Sequence, residues 1–174
     1  CDLYDVIASE NLDCNISIKL THIGLSLDET IAVNNLERIL KQVKKHNNFL
    51  RIDMENSPYT QDTINLYQDY VSDYPNMGIV LQAYLKRSLE DVRTLNGPGF
   101  NTRVCKGIYD EPETIAFKDR AAIQDNFVHI TKEILSGNGV AAIATHDIPL
   151  IDRIEDWIES TQVTSDRFEF QVLY

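Results

Sequence analysis

With 174 residues, 43% of them hydrophobic and 25% charged, the chain has the length and composition of one ordinary globular domain with a sizeable core. Its formal net charge of -11 argues against a nucleic-acid partner, because phosphate contacts need a basic surface. Cys1, Cys14 and Cys105 form no CxxC pair and are odd in number, which indicates neither a disulfide framework nor a zinc site and points to a reducing cytoplasm. No apolar run is long enough to span a bilayer, and the first residues lack the apolar stretch of a secretory signal.

In chain order, the residues before Ile16 read as the tail of a helix. A β-rich run at 16–21 leads to a helix at 29–46, where Ile31, Leu36, Ile39, Leu40 and Val43 keep helical spacing and Asp28 can cap the N-terminus. A run at 49–54 leads to a helix at 60–73, with Thr60 as its cap. Runs at 78–83, 102–107, 140–145 and 168–173 follow, separated by helices at 88–95, 114–136 and 149–160. The helix at 114–136 is the longest predicted and is stopped by Gly137 and Gly139.

Alternation of this kind implies a parallel sheet covered by helices. No GxGxxG and no Walker loop follows any strand, which weighs against a doubly wound nucleotide-binding sheet. Polar residues recur at alternate strand positions: Lys19 with Thr21, Arg51 with Asp53 and Glu55, Gln82 with Tyr84, Glu169 with Gln171. In a barrel those faces turn inward, and the charges gather at the carboxyl ends of the strands, where barrel enzymes place their chemistry. A (β/α)8 TIM-type barrel has eight strands and six are read here. The expectation is therefore one incomplete barrel domain over 1–174, truncated at both ends.

The segment Arg103-Val104-Cys105-Lys106-Gly107-Ile108-Tyr109 is the densest in chemistry. Two cations three residues apart, followed by a glycine, could receive an anionic or electron-rich ligand against the backbone. On position alone, a strand running out into water explains it equally well.

Six segments together resemble the consecutive strand motifs of the proline dehydrogenases: 18–21 (IKLT), 51–55 (RIDME), 79–84 (IVLQAY), 103–109 (RVCKGIY), 144–147 (ATHD) and 168–174 (FEFQVLY). The resemblance runs from Ile16 to Tyr174. It implies an FAD-dependent barrel enzyme of proline catabolism that oxidises L-proline to 1-pyrroline-5-carboxylate, with hydride transfer to N5 of FAD. By that resemblance Lys19 matches a lysine that binds the substrate carboxylate, and Asp53 a catalytic acidic residue that would hold Lys19 or Arg103 in place. Arg103 matches an arginine beside the flavin, placed to stabilise the negative charge that arrives with the hydride. Met54, Gln82, Cys105, Lys106, Gly107, Thr145 and His146 match cofactor contacts, and Tyr109 and Leu173 would wall the substrate pocket, with Tyr84 and Glu169 in support.

The bland readings are a Lys19 snorkelling from a strand end, an Asp53 in an ordinary acidic turn, a surface His146, and core packing for Tyr109 and Leu173. Ile108 departs from the family, where alanine is usual. The family's tyrosine and paired arginines that grip the proline carboxylate have no counterpart, since no Arg-Arg pair occurs. The isolated chain is therefore expected to be inactive. The implied partners are L-proline, an electron acceptor such as a quinone, and a second copy of the chain, with membrane contact only through other segments. No metal is expected, and hydroxyproline is set aside by resemblance alone. Two other readings stay open: a Schiff-base lyase using Lys19 or Lys106 as nucleophile, and a non-catalytic binding fragment.

Overall fold

The structure of the chain, a computed structural model, describes residues 2–173. Cys1 and Tyr174, the latter closing the 168–174 motif, lie outside the described residues. Strands β1 (Ile16–Lys19), β2 (Leu50–Asp53), β3 (Met77–Gln82), β4 (Asn101–Cys105), β5 (Val140–Ala144) and β6 (Phe168–Gln171) alternate with six helices. These are α1 (Asp2–Ser9), α2 (Glu29–His46), α3 (Ser57–Val71), α4 (Ser88–Leu95), α5 (Arg120–Ser136) and α6 (Ile148–Thr161). The parallel strands follow one another in the sheet in sequence order, from β1 to β6. An order that never reverses has no switch point of the doubly wound kind and is that of a (β/α) barrel.

The chain divides into two compact units, Cys1–Ile79 and Val80–Tyr174, and β3 contributes residues to both. In the first unit β1 pairs with β2 from Ile16↔Leu50 to Lys19↔Asp53, and β2 with β3 from Leu50↔Met77 to Ile52↔Ile79. The α2 helix begins as its sequence predicts: the Asp28 carboxylate accepts from the Thr30 N–H at 2.7 Å, taking up one of the first-turn donors that a helix leaves free. It buries Ala32, Leu36, Leu40 and Val43, and at 18 residues it outruns the predicted longest helix. Ile31 belongs to the same apolar spacing yet is 44% exposed. The Tyr4 hydroxyl, on α1, donates to the Phe49 carbonyl at 3.0 Å.

Thr60 is not a cap. It lies inside α3 and is buried, because Pro58 in the first turn starts the helix earlier, with Asn56 at the N-cap. Proline presets a helical φ and lacks the N–H that the first turn would leave unsatisfied.

In the second unit β4 pairs with β5 from Asn101↔Val140 to Val104↔Ile143, and β5 with β6 from Ala141↔Phe168 to Ala144↔Gln171. The α5 helix starts at Arg120 rather than at residue 114, capped by the Asp119 carboxylate on the Ala122 N–H at 2.9 Å. The preceding residues are taken by a tertiary contact instead: Ala116 bridges Leu85 antiparallel, and the Phe117 N–H donates to the Tyr84 carbonyl at 2.7 Å. The α5 helix buries Phe127, Ile130 and Ile134.

Most predicted strands overrun. β1 stops at Lys19, and Leu20–Ile23 forms a 3-10 turn closed by Gly24 at φ 118°. Thr21, Glu55 and Tyr84 therefore lie past strand ends and not on the alternating faces first assigned to them.

Candidate functional site

In the first unit Lys19 and Asp53 are the last residues of β1 and β2 and are register partners. The Lys19 Nζ stands 3.9 Å from Asp53 Oδ2, with the side chains 36% and 25% exposed. A pair this open to water contributes little stability, so its effect is to fix where the ammonium points. One residue beyond buried Met54, the Glu55 carboxylate receives the Thr21 N–H at 3.0 Å and the Thr21 hydroxyl at 2.5 Å. That fork ties the turn after β1 to the loop after β2. Arg51 is buried, lies over the Phe49 ring at 4.9 Å and donates to the Ile79 carbonyl at 3.3 Å, so it serves the sheet.

In the second unit Arg103 Nε donates to Gln171 Oε1 at 2.6 Å, reaching across β5 from β4 to β6. The register explains how. Arg103 pairs with Ala142 and Gln171 with Ala144, so two methyl groups occupy the intervening strand on that face. Gln171 Nε2 in turn donates to Glu169 Oε1 at 2.5 Å. Gln82, the last residue of β3, is buried, and its carbonyl accepts the Ser88 hydroxyl at 2.7 Å. The Cys105 thiol meets the Leu81 carbonyl at 3.8 Å.

After β4, Gly107 adopts φ 105°, and a Cβ there would come within 2.1 Å of the Tyr84 ring. The missing side chain is therefore required by Tyr84. Burial, with Glu111 nearby, pushes the Tyr84 hydroxyl up to about 12. Next to Gly107, the Lys106 ammonium forms an ion pair with Asp147 Oδ2, which also accepts from Arg120 Nη2 at 3.2 Å and Gln124 Nε2 at 2.6 Å. Lys106 first, then Gln124, hold the Asp147 carboxyl down to about 2. The Thr145 hydroxyl accepts the Asp147 N–H at 3.1 Å. His146 Nε2 accepts the Leu173 N–H at 3.0 Å. Lys106, Arg120, Ala144, Thr145, His146 and Asp147 line a cavity of about 390 Å³.

Two expected pocket residues do not form an apolar wall. Tyr109 packs against the cluster of Tyr84, Leu85 and Ala116, as the core-packing reading has it, while Leu173 is 88% exposed and contributes only its backbone N–H here. Ile108 is likewise 88% exposed. Sequence reasoning missed Arg120, Gln124 and Gln171 as members of these clusters, and Asp147 although it closes the ATHD motif. Pairing at such range depends on register and packing, for which the sequence carries no local signal. Among the described residues no helix is long and apolar enough to cross a membrane.

The cavity suits a large, phosphate-bearing cofactor on its polar side. It presents two cations against the one carboxylate of Asp147, with a hydroxyl and an imidazole beside them, a donor set that fits an anionic group.

A family model described as proline dehydrogenase matches residues 5–174. Proline dehydrogenase 2 of Bacillus subtilis strain 168 is 34% identical over 168 residues, covering 97% of this chain and 55% of that protein. Proline dehydrogenase 1 of the same strain is 36% identical over 169 residues, covering 97% and 56%. The proline dehydrogenase of Deinococcus radiodurans is 33% identical over 164 residues, covering 91% and 53%. The chain thus spans about half the length of these curated relatives. Among solved structures, proline utilization A from Bdellovibrio bacteriovorus inactivated by N-propargylglycine superposes with a TM-score of 0.86 at 20% identity, over 99% of this chain and 23% of that one. A Bradyrhizobium japonicum proline utilization A mutant gives 0.77 at 18%, over 98% and 21%. At such identities these two likenesses establish the fold alone. The family match extends over nearly the whole sequence, and the chain belongs to the proline dehydrogenase family.

Proposed function

We propose that the protein carrying this chain oxidises L-proline to 1-pyrroline-5-carboxylate with FAD as cofactor. The observation that carries the reading is the family match over residues 5–174, within which Lys19 and Asp53 stand paired at the ends of neighbouring strands. FAD, when bound, would supply the acceptor for the hydride that leaves the ring carbon as the C–N bond becomes C=N and the nitrogen loses its proton.

The chain's residues divide that work. Lys19 would bind the proline carboxylate as a point charge, with Asp53 orienting it. Arg103, its guanidinium anchored by Gln171, would counter negative charge on the pyrimidine side of the cofactor. Lys106 and Arg120 would face the phosphates, Thr145 and His146 would line the same cavity, and Gln82, Met54, Cys105 and Gly107 would contribute polar or backbone contacts. Tyr109 would act through Tyr84 and Gly107 more than by touching substrate. Leu173 would reach substrate only from an exposed position.

The Schiff-base alternative is disfavoured because Lys19 and Lys106 are each engaged by a carboxylate, an ion pair that nucleophilic attack would first have to break. A quinone is the electron acceptor we favour, a homo-oligomer is the assembly we favour, and the thiols of Cys14 and Cys105, neither in a disulfide, fit a reducing cytoplasm.

The test uses the full-length protein. Addition of L-proline under anaerobic conditions should bleach bound flavin and yield 1-pyrroline-5-carboxylate, trapped with o-aminobenzaldehyde, and hydroxyproline should do so far more weakly. Flavin that stays oxidised in the presence of proline would sink the assignment.

A further inference from the structure

Glu169, Gln171 and Arg103 form a chain of three side chains on one face of the sheet. Gln171 Oε1 accepts from Arg103 Nε at 2.6 Å, and Gln171 Nε2 donates to Glu169 Oε1 at 2.5 Å. Glu169 and Gln171 stand two residues apart on β6, so they share a face, and in register Ala142 lies between Arg103 and Glu169. The methyl groups of Ala142 and Ala144 leave the space in which the chain closes.

The polarity of each link allows only one arrangement. A guanidinium donates and cannot accept, a carboxylate accepts and cannot donate, and a carboxamide does one at each end. Turned end for end, the Gln171 amide would set N–H against N–H at Arg103 and oxygen against oxygen at Glu169, and both bonds would be lost. Glu169 therefore decides which end of the amide meets Arg103. Without it, one hydrogen bond must hold a glutamine whose rotamer freedom is worth as much as that bond. Glu169 itself is exposed, so its contribution to stability is small and its effect falls on orientation.

We propose that Glu169 is a positioning residue for proline oxidation: it locks the Gln171 amide, and the locked amide holds the Arg103 guanidinium where negative charge arrives on the cofactor. The proposal rests on the reading that sets Arg103 beside the flavin. Glu169 acts as a hydrogen-bond acceptor, so glutamine can stand in for it and alanine cannot.

The experiment uses the full-length protein and reads the anchor first without cofactor. In flavin-free protein carrying isotopically labelled arginine, NMR follows exchange of the Arg103 Nε–H with water, the signal being assigned by its loss in Arg103→Met. Glu169→Ala and Gln171→Met should each speed that exchange by about fivefold, and Glu169→Gln should restore slow exchange. In the flavin-loaded protein, Glu169→Ala should slow the limiting rate of anaerobic flavin reduction by proline about fivefold and lower the flavin midpoint potential. The proline concentration at half-maximal rate and the urea midpoint should stay at their wild-type values. In a Gln171→Met background, Glu169→Ala should add nothing further. Unchanged exchange in Glu169→Ala overturns the proposal, as does a loss that Glu169→Gln fails to rescue or an effect that persists without Gln171. If Arg103→Met reduces its flavin as fast as wild type and at the same potential, the placing of Arg103 beside the flavin has failed and the proposal falls with it.

Discussion

Arg103 and Gln171 lie two strands apart and are joined by a 2.6 Å hydrogen bond across the methyl groups of Ala142 and Ala144. Neighbouring strands are spaced by about 4.8 Å, so the contact needs both the full length of an arginine and a strand between that offers no bulk. Ala142→Leu would fill that gap. We expect it to cost about 1–3 kcal/mol in urea unfolding through overpacking and to displace Arg103. In the full-length enzyme kcat for proline should then fall further than the stability loss explains, and Gln171→Met should reproduce the kinetic effect with little change in stability.

Gly107 is fixed twice over, by its φ of 105° and by the Tyr84 ring where its Cβ would stand. Gly107→Ala should destabilise the protein by about 2 kcal/mol or more, read from thermal unfolding. Combining it with Tyr84→Ala should cost less than the sum of the two single changes, because the clash disappears with the ring. Simple additivity would show that backbone conformation alone is responsible.

Lys19 and Asp53 form a half-exposed pair, and exposed pairs contribute roughly 0–1 kcal/mol. Lys19→Met and Asp53→Asn should therefore unfold within about 1 kcal/mol of wild type. If the pair meets substrate, kcat/KM for proline should drop by about 100-fold or more in each. Variants that unfold normally and also turn over proline normally would remove both residues from the site.

Asp147 sets a pH dependence. Its carboxyl is lowered to about 2 in the folded protein from an ordinary 3.8, chiefly by Lys106. A depressed carboxylate stabilises the fold above the unfolded value and loses that contribution as pH falls through the folded one. The stability difference between wild type and Asp147→Asn in urea should be full at pH 5 and shrink steadily between pH 4 and 2. In a Lys106→Met background the difference at pH 5 should be smaller and its loss complete at a higher pH, because the folded value then lies nearer the unfolded one.

Asn126, buried on α5, donates Nδ2 to the Ala83 carbonyl at 2.6 Å and so ties the helix to the chain just before Tyr84. Asn126→Leu leaves that carbonyl without its donor and should cost about 1–3 kcal/mol in denaturant unfolding. A cost below a few tenths of a kcal/mol would mean that another group replaces the amide.

The order of elements, the type of each and the parallel character of the sheet were legible from short windows of sequence. Helical spacing from Leu36 to Val43, the Asp28 cap and alternation within each strand are set by neighbours a few residues away, where the backbone's own periods apply. Within the motifs, Lys19, Asp53, Cys105 and Ala144 stand at the ends of their strands, because where a strand ends is set by local backbone chemistry.

What the sequence could not disclose is who pairs with whom. Gln171 lies 68 residues from Arg103 and Asp147 lies 41 from Lys106, so both contacts depend on strand register and helix placement. Ala142 reads as an unremarkable strand residue until register sets it between Arg103 and Gln171. Asp147 reads only as the last residue of the ATHD motif until tertiary packing brings Lys106, Arg120 and Gln124 to it and draws its carboxylate away from the first turn of α6. The same competition turned residues 114–117 from predicted helix into a bridge against Leu85. The sequence by itself determined the elements, their order and the residue types at strand ends, since those depend on local backbone geometry. Only the tertiary structure decided which charges neutralise one another, because a buried polar group takes its meaning from the partners that folding brings to it.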